Sequence, residues 1–137
     1  MNMAATLTRA ELTARSRTVR VRTAAVIGAA TPIIAGIPAG KRVCIWKITA
    51  GLAAMAAGPE GLQVSSCAAG ANVDTNVHAQ FPFAAASVPL EVGGDIESPF
   101  LIIQNATPAA GASANADIGC SHIAAPIDVT ISYYLLP

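Results

Sequence analysis

The sequence predicts an all-β protein: an antiparallel β-sandwich or jelly roll, preceded by a short N-terminal arm with room for one short helix. Three observations predict it. Apolar residues recur with a period of two in short runs, the signature of half-buried strands. Stretches rich in Gly and Pro separate those runs, as turns do. The composition is 53% hydrophobic, only 12% charged and 4% aromatic, too apolar for a disordered chain. A length of 137 residues fits one domain, divided here into an arm over 1–17 and a body over 18–137. A chain of this size can bury a core without the help of a metal or a disulfide.

The elements follow in order. Residues 7–16 are the helix candidate: Thr8 and Glu11 have capping-box spacing, and Leu7 and Leu12 stand where a hydrophobic staple would. Isolated helices so short are marginal in water, so the body or a neighbour must hold this one. In TVRVRT, Val19 and Val21 face one way and Arg20 and Arg22 the other. TPIIAGIPAGK, AAMAAGPEG, EVGGDIESP and ATPAAGASANA read as turn-rich connections. RVCIWKIT, over 42–49, reads as a buried strand. GLQVSSC alternates weakly, and ITAGLAAMAAGPEG is ambiguous because its alanines tolerate a helical turn. NVHAQFPF sets Val77, Ala79, Phe81 and Phe83 on one face, and Pro82 places that strand at an edge or at its own end. FLIIQN, over 100–105, is apolar on both faces and is expected to be central. IDVTISYYL alternates most clearly. Seven to nine short strands are expected in all.

The charge is unevenly spread. Up to Lys47 the chain carries eight bases against one acid; beyond it there are seven acids and no Lys or Arg. The zero net charge therefore hides a dipole along the sequence, and such asymmetry points to a partner for one half. Few charges over an apolar chain also favour association with other proteins. The arginines of 15–22 followed by AAVIGAATPIIAGIPAG look like a secretory leader. Pro32 and Pro38 interrupt that run and the charged part begins late, so neither a leader nor a membrane span is expected.

The case for catalysis is thin. His78 and His122 are the two histidines. Asp117, Cys120 and His122 form a D-x-x-C-x-H cluster that would need Cys67 to complete a metal site. On a strand, Asp117 would point away from the other two. The cysteines have no CxxC spacing, and no GxSxG, P-loop or GxGxxG occurs. Asn105-Ala106-Thr107 fits a glycosylation acceptor and reads here as the start of a loop. The expectation is no enzyme, no cofactor and no metal.

The arm has three readings. Its arginines can grip carboxylates on a protein surface in forked pairs, with Leu7, Leu12, Val19 and Val21 adding apolar contact. They can form a solvated face with no partner. They can neutralise nucleic-acid phosphates, although no interleaved aromatics offer stacking. The protein anchor ranks first and nucleic acid last.

Against this strand map, a short arm before GKRVCIWKITAG, a pale Ala/Gly middle, SVPLEVGGDIESPFLIIQNAT and a terminal IDVTISYYLLP resemble the small β-sandwich decoration (cement) proteins of tailed-bacteriophage capsids. The resemblance covers residues 18–137 and rests on architecture and strand texture. Its nearest motifs are the Gly40–Arg42 entry into a strand and the terminal Tyr133-Tyr134. It implies a virion structural protein, made in the host cytoplasm, that sits on the capsid surface. It further implies a homotrimer that reinforces capsomer contacts and has no catalytic residues. The major capsid protein is then the partner. Leu7, Leu12, Arg15, Arg17, Val19, Arg20, Val21 and Arg22 become the anchoring residues. Two other classes stay open: a tail or fibre component contacting a host receptor, and a small β-sandwich enzyme or metal-binding protein.

Overall fold

A computed structural model of the protein describes residues 7–23, 27–38, 41–52, 61–68, 76–83, 88–104, 116–122 and 127–137. The fold is all-β with antiparallel sheets. Among the described residues one helix, α1 (Arg9–Arg15), precedes nine strands: β1 (Arg17–Thr23), β2 (Ile27–Ile37), β3 (Arg42–Leu52), β4 (Gly61–Ala68), β5 (Asn76–Pro82), β6 (Leu90–Gly93), β7 (Leu101–Gln104), β8 (Ala116–His122) and β9 (Ile127–Leu136). The first sheet has the order β1-β9-β3-β6, with β7 also paired to β3; the second has the order β2-β8-β4-β5.

Alternation explains which face each strand buries. In β9, Val129, Ile131 and Tyr133 turn into the space between the sheets, where they meet Val43, Ile45, Ile48 and Ala50 of β3. Leu62 and Val64 of β4, with Ile34, Ile37 and Phe83, close the same core from the second sheet. The β3 residues change parity between Ile45 and Ile48. The pairing of β3 with β9 slips by one residue between Ile45 and Lys47. Trp46 is thus the extra residue of a β-bulge, which lets both halves of β3 feed one core. Phe81 and Phe100 lock the two sheets edge to face, with centroids 5.7 Å apart, a geometry the ring quadrupoles favour.

Several elements depart from the sequence reading. The stretch TPIIAGIPAGK lies largely within β2, despite its prolines. β2 borders the second sheet, where a missing N–H is tolerated, and its register with β8 shifts on both sides of the Thr31–Pro32 pairings. EVGGDIESP contains the end of β6. β7 is not central. It pairs with β3 through Arg42–Ile45, on the same side of β3 where β6 pairs with Lys47–Ala50. β6 and β7 are therefore two parts of one interrupted border strand, and Ile102 is 50% exposed. Pro82 does end the border strand β5. Asn105-Ala106-Thr107 and most of AAMAAGPEG lie outside the described residues.

The interruption has a local cause. Gly93 adopts φ +75°, and a Cβ there would lie 2.3 Å from the Trp46 carbonyl oxygen and 2.6 Å from the Phe100 ring. Only glycine fits this left-handed position against the bulge. The Gly94 N–H then donates to the Trp46 carbonyl at 2.8 Å and the Phe100 N–H donates to the Ile45 carbonyl at 3.1 Å. Residues 94–99 are looped out between those two bonds and return Ile96 to the outer face of the sheet, where it is buried.

The candidate N-terminal interface

The sequence singles out the segment from Leu7 to Arg22, and the structure attaches it to the body along its length. Thr8 is the N-cap of α1, its hydroxyl accepting from the Glu11 N–H at 3.2 Å. The same hydroxyl donates to the Glu11 carboxylate at 3.1 Å. Leu12 is buried in a second apolar cluster with Cys44, Ile96, Tyr134 and Leu136, on the face of the first sheet away from the main core. Leu7 and Trp46 pack against that cluster. At the other end the Ser16 N–H donates to the Leu12 carbonyl, and the Trp46 indole N–H donates to the Ser16 hydroxyl at 2.9 Å. A helix too short to stand alone is thereby held by one leucine and two caps.

From Arg17 the chain is strand β1, paired antiparallel with β9 from Arg17 opposite Tyr133 to Thr23 opposite Ile127. Val19 packs against the main core, and Val21 is half-buried. Thr18 and Ser132 share a hydrogen bond of 3.1 Å. Arg20 makes a forked pair with Asp128 of its own chain, Nε to Oδ1 at 2.9 Å and Nη2 to Oδ2 at 2.5 Å. The hydrogen bond and charge of Asp128 push the Arg20 guanidinium further above its ordinary range. Arg22 stands opposite Asp128 in the backbone register. Arg9 lies 3.9 Å from Glu97 across open surface. Leu12 and the forked Arg20 pair are therefore engaged within this chain. Arg15 and Arg17 are exposed, and among the described residues neither has an ion pair. With Ala14, Ser16 and Leu135 they line a shallow hollow at the junction of α1 and β1.

Two buried groups lie beneath α1. Tyr134 is fully buried and its hydroxyl has no hydrogen-bond partner among the described residues. Burial, then the nearby Cys44 and Asp95 charges, push this phenol up to about 12. Burial also raises the Cys44 thiol, partly opposed by Arg42. A thiol so placed is inert at neutral pH, because the thiolate is the nucleophile.

The D-x-x-C-x-H cluster lies on β8. The backbone register places Cys67 opposite Asp117 and Cys120 opposite Val64. Cys67 and Cys120 are thus three register positions apart, about 10 Å along the strand. Among the described residues no group of His, Cys, Asp and Glu is arranged to hold a metal ion. None of the described helices is long and apolar enough to cross a membrane. Sequence reasoning singled out neither Glu91 nor the 94–99 loop. The Gly93-Gly94 pair is the available signal, and within EVGGDIESP it has the pattern of an ordinary turn. Compared with protein-family models, with curated proteins and with solved structures, the chain matches none.

Proposed function

We propose that the protein is a non-catalytic structural component of a phage virion, a decoration protein bound to the outside of the capsid and reinforcing contacts between capsomers. The observation that carries this reading is the pair of exposed cations, Arg15 and Arg17, flanking a hollow on a segment fixed at both ends. An arginine held on a rigid support loses little freedom when it meets a carboxylate. The partner is an acidic surface of the major capsid protein. We further read the strand order as a jelly roll: with β6 and β7 counted as one strand, the two sheets follow the order of two interleaved Greek keys. That architecture supports many functions, so the basic hollow, and not the fold, carries the argument. Trimerisation, which the resemblance implies, would multiply a weak contact by effective concentration.

A receptor-binding fibre component would present aromatics at loop tips. Tyr133 and Tyr134 are buried and Trp46 is half-buried under α1, so no observation favours that alternative.

The structure dictates the form of the test. Deleting residues 1–22 would strip most of β1 from β9 and uncover the Leu12 cluster, so loss of binding would report unfolding. The informative variant is Arg15→Glu with Arg17→Glu, both on exposed positions. Binding of this folded variant to capsids lacking the protein is expected to fall, and binding of the unaltered chain to weaken as salt rises. Full occupancy by the double variant at physiological salt overturns the proposal.

A further inference from the structure

The two borders of the first sheet complement each other, and we infer that they pair between copies of this chain, β1 of one protomer adding to β6 of the next. The registers run in rows across the four strands. On the outer face, Arg20 stands opposite Thr130, Thr130 opposite Thr49 and Thr49 opposite Glu91. One row thus begins with an exposed cation, Arg20, which Asp128 of its own chain holds through Nε and Nη2, and ends with an exposed anion, Glu91. On the inner face, Val19, Ile131, Ile48 and Val92 form the next row, and Val21, Val129, Ala50 and Leu90 the row after it. The four terminal residues of these two rows are only half-buried, whereas every residue between them is buried.

Among the described residues no strand pairs with the outer edge of β1 or of β6. Unpaired edges present free N–H and C=O groups to any strand that fits. Direction fits as well. All pairings in the sheet are antiparallel, and the path from β1 to β6 has an even number of strands. β6 of one copy and β1 of the next, with their sheets facing the same way, therefore meet antiparallel. In that register Glu91 lies beside Arg20 of the next copy, Val92 beside Val19 and Leu90 beside Val21. Opposite charges and apolar pairs directly across a ladder are the stabilising kinds. A second copy is thus the occupant that matches the edge in charge, apolar pattern and strand direction. The contact is head-to-tail, so it closes into a ring or propagates as an open array. The inference stands apart from capsid binding, which uses Arg15 and Arg17.

The test is a charge swap on the full chain. Sedimentation from about 1 μM to 1 mM spans the affinities expected of so short a ladder. Association that rises with concentration is expected for the unaltered chain. Glu91→Lys and Arg20→Glu each place like charges across the contact and are expected to weaken it about tenfold. Mixing the two variants restores opposite charges at both junctions and is expected to restore association. Circular dichroism checks that each remains folded, and Glu91→Lys, at an exposed position, serves alone should Arg20→Glu unfold beside Asp128. A monomer at every concentration, an association indifferent to Glu91→Lys, or a mixture of folded variants that stays monomeric overturns the inference. So does a closed symmetric dimer, because a two-fold contact pairs an edge with itself.

Discussion

Replacing Leu12 by Ala asks whether the N-terminal segment belongs to the body. Leu12 is 1% exposed and is the one side chain of α1 that enters the outer cluster. Truncation to Ala removes about 2–2.5 kcal/mol of transfer free energy at roughly 0.8 kcal/mol per buried methylene. The cavity left among Cys44, Ile96, Tyr134 and Leu136 brings the expected cost to about 3 kcal/mol, inside the usual ~2–5 kcal/mol range for a buried leucine. For a domain of this size that lowers Tm by about 10 °C. A second readout separates global destabilisation from local undocking. Cys44 is fully buried and its thiol is held above its ordinary range by that burial. In the variant α1 has no apolar anchor of its own and lifts, so Cys44 should become reactive toward a thiol reagent under native conditions, with the modified residue identified by mass spectrometry. A variant that melts within about 1 °C of the unaltered chain and keeps Cys44 protected would refute the reasoning and return the segment to the status of a loose arm.

Three more predictions follow from the same region. Tyr134→Phe removes a buried hydroxyl that has no partner among the described residues, so it should be neutral or stabilising by up to about 1 kcal/mol in denaturant titration. The phenol is raised in the folded state to about 12 from an ordinary 10. Its contribution to stability is therefore whole below pH 10 and is lost as pH climbs from 10 toward 12, and the Phe variant should lose less stability over that window. Gly93→Ala forces a side chain into a left-handed backbone against the Trp46 carbonyl and should cost about 2–4 kcal/mol in chemical unfolding. Ser16→Ala leaves the Trp46 indole N–H without its acceptor; a loss of about 1 kcal/mol with a shift in tryptophan emission is expected, and an unchanged spectrum would argue against the hydrogen bond.

Much of the fold was legible in the sequence where the period of two is clean. β1, β3, β4, β5 and β9 lie close to where alternation and β-branched residues put them, because each buries one face against a single core. The helix was legible for a different reason: Thr8, Glu11, Leu7 and Leu12 are local signals, and helix caps and staples are made within one turn. β2 and β6 were not legible, since their Gly and Pro read as turns until a border position makes a missing N–H and a left-handed glycine tolerable. The reading of β7 as a central strand failed because Leu101–Ile103 serve as one half of an interrupted border. That fact depends on the Trp46 bulge.

The candidate site divides in the same way. The clustering of arginines near the N-terminus and the excess of acids after Lys47 are properties of the sequence alone, and they set the sign of each half. Which charges are spent and which are offered is decided in three dimensions. Asp128 lies more than a hundred residues from Arg20, yet strand pairing brings their side chains into a forked contact, while Arg15 and Arg17 stay open to solvent. The same pairing places Arg20 at one border of the first sheet and Glu91 at the other. Sequence fixes alternation and charge because these are read between near neighbours; register, bulges and borders are set by contacts between distant segments, which no local pattern encodes.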